Sequence, residues 1–170
     1  MLEFRKALPA DLPGIMEVVH QAQAFMATLG IDQWQDGYPS AEIISEDIRI
    51  GRAYVFAEED RIASISILTA EPEPIYDQID SWHTGEPYLT MHRTAIGNAH
   101  RHSGLANRIL ENAVSIAQKE NLCGIRADTH RGNVAMRRFL EKNGFAECGL
   151  VTYEVDAGDP IRIAYDLSVF

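Results

Sequence analysis

The chain has 170 residues, 46% of them hydrophobic and 24% charged, which places it among folded globular proteins and outside the compositions that stay disordered. A formal charge of −10 argues against a nucleic-acid-binding domain, which would carry a basic face. No stretch of about 18 apolar residues suggests a membrane span and residues 1–10 have no signal-peptide core, so the expected address is the cytoplasm, with no membrane partner.

In chain order, Leu2 to Lys6 reads as a short strand. Asp11 is placed to cap a helix whose apolar positions Ile15, Val18, Val19, Ala22, Phe25, Met26 and Leu29 recur at helical spacing, and Gly30 ends it. The loop from Ile31 to Pro39 carries Trp34 and Tyr38, and Ser40 caps a second helix running to about Ile50. Ala53 to Ala57 and Ile62 to Thr69 form a hairpin. Glu71 to Glu86, with Pro72, Pro74 and Gly85, reads as a long polar loop.

Tyr88 to Ile96 resumes a strand, Gly104 to Lys119 a long amphipathic helix, Gly124 to Thr129 a strand, and Asn133 to Lys142 a helix stopped by Gly144. Phe145 to Val155 and Ile161 to Leu167 close the chain as two strands. The order βααβββαβαββ, without a linker or repeat, predicts one α/β (α+β) domain over residues 1–170: a mixed, mostly antiparallel sheet with helices on both faces. Two cysteines, Cys123 and Cys148, lack metal-ligand spacing and read as reduced thiols, and no metal is expected.

Charge is unevenly spread. Glu71 to Glu86 holds five acids and no Lys or Arg, which suits a cationic substrate, whereas His92 to Arg108 holds Arg93, Arg101 and Arg108 and no acid, which suits an anion. Within the second stretch, Arg101-His102-Ser103-Gly104-Leu105-Ala106 joins a strand to a helix. Backbone N–H groups at such a helix start, next to a small Gly104, a slim Ala106 and the forked charge of Arg101, can hold a pyrophosphate. No Gly-Lys-Ser/Thr and no Gly-x-Gly-x-x-Gly is present.

Arg-x-x-Gly-x-Ala at 101 to 106, after the strand 89 to 96, resembles the coenzyme A signature of the GNAT superfamily of N-acetyltransferases, Gln/Arg-x-x-Gly-x-Gly/Ala. The segment Asp128 to Phe145, in which Asn133 precedes Gly144-Phe145 by eleven residues, is similar to the family's segment after its fifth strand. The resemblance implies a V-shaped split between the fourth and fifth strands and acetyl-coenzyme A as donor. It also implies backbone pairing of the pantetheine with Thr94, Ala95 and Ile96, pyrophosphate binding by Arg101, His102, Ser103, Gly104, Leu105 and Ala106, and a cofactor contact from Asn133, which is equally well placed to cap a helix. A homodimer is common in the family.

The implied reaction is direct transfer of acetyl to a primary amine of a small molecule or peptide. The alternative is a non-catalytic acetyl-coenzyme A sensor, because the position where family members often place an acidic Tyr, seven residues after the Asn, holds Leu140. Tyr88, Tyr153 and Tyr165 are substitutes that the sequence does not rank. Strand alternation puts Thr90, His92 and Thr94 on one face, so His92 is the expected catalytic base, with Glu86 and His83 as second choices. Trp34, Tyr38 and His83 are the expected substrate-binding residues, while His100, His102 and His130 read as facing solvent or phosphate.

Overall fold

A computed structural model describes residues 1–170. The strands are β1 (Glu3–Lys6), β2 (Ala53–Glu58), β3 (Arg61–Thr69), β4 (Tyr88–Ile96), β5 (Gly124–His130), β6 (Ala146–Thr152) and β7 (Ile161–Ser168). The helices are α1 (Leu12–Thr28), α2 (Ala41–Arg49), α3 (Leu105–Lys119) and α4 (Val134–Lys142). All seven strands join one sheet in the order β1-β2-β3-β4-β5-β7-β6, antiparallel except for the β4–β5 pair, so the expected mixed sheet is the observed one. No helix is long and apolar enough to cross a membrane.

The helices form where capping and amphipathicity coincide. Ser40 Oγ accepts from Ile43 N at 3.3 Å and Asn133 Oδ1 from Met136 N at 3.2 Å, satisfying otherwise orphaned first-turn donors of α2 and α4. Asp11 does otherwise: its carboxylate accepts from Arg5 at 2.6 and 3.0 Å and from Leu8 N at 2.7 Å, closing a 3-10 turn before α1 rather than capping that helix. α1 and α2 bury Ile15, Val18, Val19, Ile44 and Ile48 against Val55, Ile65 and Ile67 on one face of the sheet. α3 and α4 bury Leu110, Ala113, Ala117 and Leu140 against Leu89, Met91, Ile125 and Ala127 on the other.

The segment between β3 and β4 is not the solvated loop its composition suggests. Pro74–Gln78 form a 3-10 turn that buries Tyr76, and Ile79 packs with Cys148, Val151 and Ala164. The far end is pinned by charge. Asp166 accepts from His83 N, Thr84 N and Thr84 Oγ at 2.7 to 3.0 Å, and the buried Arg126 guanidinium lies between the Trp82 and Tyr88 rings, 4.2 and 3.8 Å from their centroids.

Two irregularities shape the sheet centre. β4 and β5 are in register only from Tyr88–Gly124 to Thr90–Arg126, and beyond that point each strand follows its other neighbour. On the β3 side, Ile67 pairs with His92 and Ile65 with Ala95, so Arg93 and Thr94 share the space opposite Ser66. This β-bulge, with Arg93 at a φ of 44°, adds one residue to β4.

Candidate active site

The bulge overturns the alternation expected from sequence. Thr94 bonds Ser66 Oγ at 2.7 Å, whereas His92 shares the side of its partner Ile67, so His92 and Thr94 lie on opposite faces. The same irregularity turns Arg93 toward α2, where its guanidinium donates to Asp47 Oδ2 at 3.0 Å and to the Tyr38 hydroxyl at 2.7 Å. Asp47 has no exposure and also accepts from Arg52 at 2.7 Å. Arg93 is therefore neutralised and is not one of the cations available to an anion.

The split between β4 and β5 opens into a cleft of about 330 Å³. Its floor is formed by β4 and β5, and its rim by the α1–α2 loop with Trp34 and Tyr38 and by the β6–β7 loop with Tyr153 and Glu154. The two loops meet where Asp32 Oδ2 accepts from Asp159 N at 2.7 Å and Asp32 Oδ1 lies 3.1 Å from His130 Nε2. His130 is thus buried beneath the rim rather than facing solvent or phosphate.

Five titratable groups, His92, Glu73, Asp128, Tyr76 and Tyr153, form two bonded clusters at the cleft. His92 Nε2 lies 3.0 Å from Glu73 Oε2, and this hydrogen bond holds the Glu73 carboxyl below the usual carboxylate range. Asp128, on β5, takes both the Tyr76 and Tyr153 hydroxyls on Oδ2, each at 2.9 Å. Burial raises the Asp128 carboxyl above its ordinary pKa, although His92 and the two hydroxyls pull it down. Burial, reinforced by Asp128, also pushes the Tyr76 and Tyr153 phenols up, so both stay protonated donors.

Past the outer end of β4, a 3-10 turn at Asn98–His100 leads through Arg101 to α3. His102 and Gly104 have φ of 61° and 82°, and a Cβ built on Gly104 meets nothing within 4 Å. The N–H groups of His102, Gly104, Leu105 and Ala106 find no acceptor in the chain, and the start of α3 adds its positive dipole end. The Leu105 side chain is core, so only its backbone faces this loop. Arg101 stacks over Phe25, 3.8 Å from the ring centroid, and Ser103 Oγ donates to His100 O. Arg108 is held elsewhere, donating to Leu2 O and lying over Phe56.

Of the residues singled out by sequence, His92, Thr94, Asn133, Trp34 and Tyr38 line the cleft, and Ala95 and Ile96 continue β4 toward the Arg101–Ala106 loop. His83 does not. Its ring lies against Cys148 Sγ at 3.3 Å and Asp166 Oδ1 at 3.1 Å on the β6–β7 side, and Glu86 is an exposed neighbour of Arg126. Burial, followed by the bond to Asp166, pushes the Cys148 thiol up to about 12, in keeping with a structural thiol. Among the tyrosines, Tyr153 reaches the cleft, whereas Tyr88 accepts from Glu73 N and Tyr165 bonds Arg137 beside α4. Asp128, Tyr76 and Glu73 were missed; the readable signal was Asp128, an acid inside an otherwise core-forming strand.

The profile of the acetyltransferase (GNAT) family matches residues 19–145. The chain belongs to that family. A GNAT-family acetyltransferase from Streptococcus agalactiae is similar at 35% identity over 98% of this chain and 95% of that one, with a TM-score of 0.84. Two more distant structures share the GNAT fold. They are the PaiA N-acetyltransferase of Thermoplasma acidophilum in complex with coenzyme A (18% identity, 98% and 99% covered, TM-score 0.72) and the ribosomal-protein-S18-alanine N-acetyltransferase of Escherichia coli (16%, 99% and 94%, 0.65). No curated protein matches the sequence.

Proposed function

We propose that this protein transfers acetyl from acetyl-coenzyme A directly to a primary amine of a small molecule or peptide. The observation that carries the reading is the continuity of the β4–β5 split with the loop at the start of α3, where four N–H groups lack acceptors and Gly104 leaves open space. Acetyl-coenzyme A, when bound, supplies an activated thioester. This chain fits it with backbone groups of Thr94, Ala95 and Ile96 along the split, with the N–H groups of His102 to Ala106 and the Arg101 charge for the pyrophosphate, and with Asn133 across the cleft.

An alkyl ammonium with a pKa near ~10 must lose a proton before its nitrogen can attack, so a base is needed more than an acid. His92 is the proposed base. With Nε2–H given to Glu73, the neutral ring keeps its lone pair on Nδ1. Trp34 and Tyr38 are proposed to border the acceptor. Leu140, fully buried in α4, supplies no proton to the leaving thiolate; a thiol pKa near ~8.5 makes thiolate a tolerable leaving group without one.

Two measurements test the reading. Acetyl-coenzyme A at about a hundred times its Kd should stabilise the protein by ~2.7 kcal/mol, or roughly 5–11 °C in Tm, and ATP or nicotinamide dinucleotides should do less. A thiol-release screen over amines and N-terminal peptides should then find turnover. Absence of a Tm shift removes the proposal; a shift without turnover of any amine leaves the sensor reading that Leu140 favours.

A further inference from the structure

Within the cleft, Arg93 is held by Asp47 and Tyr38, Arg162 donates to Asp159 O and Ile161 O, and the His92 ring meets Glu73. The Asp128 carboxylate is different. Both of its hydroxyl donors, Tyr76 and Tyr153, converge on Oδ2, and Oδ1 has no partner in the chain. Nor is Oδ1 among the sealed polar atoms that lack a hydrogen bond, so it opens to the cleft that Asp128 lines.

The position matters as much as the valence. Asp128 stands two residues beyond Arg126, the last residue of β5 in register with β4, where the strands begin to diverge. His92 stands two residues beyond Thr90 on the other strand, and the Tyr76 ring that stacks on His92 at 6.3 Å also carries the hydroxyl bonded to Asp128. Aromatic rings of Trp34, Tyr38 and Tyr153 wall the same space, and Asp36 and Glu154 add exposed negative charge at its rim. An open carboxylate oxygen beside aromatic faces, under an acidic rim, is complementary to a compact cation.

From this geometry we infer that Asp128 is the seat of the acceptor's ammonium group, fixed by Tyr76 and Tyr153 so that Oδ1 takes one N–H while another points to His92. The acceptor is an amine without an adjacent carboxylate, because a carboxylate on the same carbon would be brought against the Asp128 carboxylate and under the acidic rim. Tyr76 and Tyr153 are positioning residues, and Asp128 sets specificity. The inference rests on the acetyl transfer proposed above.

The test is steady-state kinetics of the wild type, Asp128→Asn and Asp128→Glu with the best amine from the thiol-release screen, and with 2-phenylethylamine, phenylalaninamide and phenylalanine as a matched series. Asp128→Asn keeps an oxygen for the tyrosine hydroxyls, so it should fold, with the Tm shift on adding acetyl-coenzyme A preserved. Its KM for the best amine should rise about 10- to 100-fold, the loss expected for one buried charge-assisted hydrogen bond, with a much smaller change in kcat. Asp128→Glu should recover part of that loss. The wild type should prefer phenylethylamine and phenylalaninamide over phenylalanine at least tenfold, and Asp128→Asn should narrow that preference. An unchanged KM in a folded Asp128→Asn that binds acetyl-coenzyme A, or a wild type that takes phenylalanine as well as its amide, overturns the assignment while leaving acetyl transfer standing. Failure of every amine with the wild type removes the acetyl-transfer reading and this inference with it.

Discussion

Replacing Asp47 with alanine should damage both stability and the site. The carboxylate has no exposure and accepts from Arg52 at 2.7 Å and from Arg93 at 3.0 Å, while the two arginine side chains are 27% and 18% exposed. Two charge-assisted bonds at ~1.5–3 kcal/mol each would give up to about 6 kcal/mol, but the arginines can partly rehydrate, so the lower end, about 3 kcal/mol, is expected. For a chain of this size that is roughly 6–12 °C of Tm. The loss has a local part as well. Arg93 sits at a φ of 44°, a conformation costing about 1–2 kcal/mol for a non-glycine residue, and Asp47 with Tyr38 holds it there. Differential scanning calorimetry of Asp47→Ala, Asp47→Asn and Arg52→Ala, with thiol-release rates, separates the parts: Arg52→Ala should lose stability only, and Asp47→Ala should lose activity beyond its stability loss. An Asp47→Ala protein melting within about 2 °C of wild type would show that Asp47 does not anchor the bulge.

Three further outcomes follow from the same structure. Gly104→Glu should abolish acetyl-coenzyme A binding in a titration, since it forces a charged side chain onto a φ of 82° where phosphate would approach, whereas Arg101→Ala should raise Kd only about 10-fold. His92→Ala should lower kcat on the order of a hundredfold with cofactor affinity unchanged; an unchanged kcat would make His92 structural. For Asp166, burial pushes the carboxyl up, but bonds from Cys148, Thr84 and His83 outweigh it and hold it below its ordinary value. A depressed folded-state pKa contributes stability above the unfolded value, near ~3.9, that is lost as pH falls through the folded one, so Asp166→Asn should be less stable than wild type at neutral pH and the gap should shrink in acid melts.

Much of this was readable in the chain. Ser40 and Asn133 were placed as caps and make those bonds, and Gly104 was placed in the turn before α3, where its φ is positive. What stayed hidden arises from irregular backbone and long-range pairing. Nothing in Met91-His92-Arg93-Thr94 marks a bulge, because Arg93 is no glycine and its φ is held by Asp47, 46 positions away. Two-residue periodicity therefore put His92 and Thr94 on one face. Tyr76 was lost in an acidic, proline-bearing segment whose burial depends on Cys148, Val151 and Ala164, far along the chain.

The three register pairs between β4 and β5 are the only ladder between a half-sheet of β1–β4 and one of β5–β7, with α3 packed across the seam. Beyond Thr90 and Arg126 the facing strand edges have no ladder partner, so in amide hydrogen exchange they should open at low free energy while the outer hairpins stay protected. A molecule that filled the split as a strand would act as a splint: protection would rise on both edges together, joining two exchange units into one and making the sheet's rigidity a property of the liganded protein.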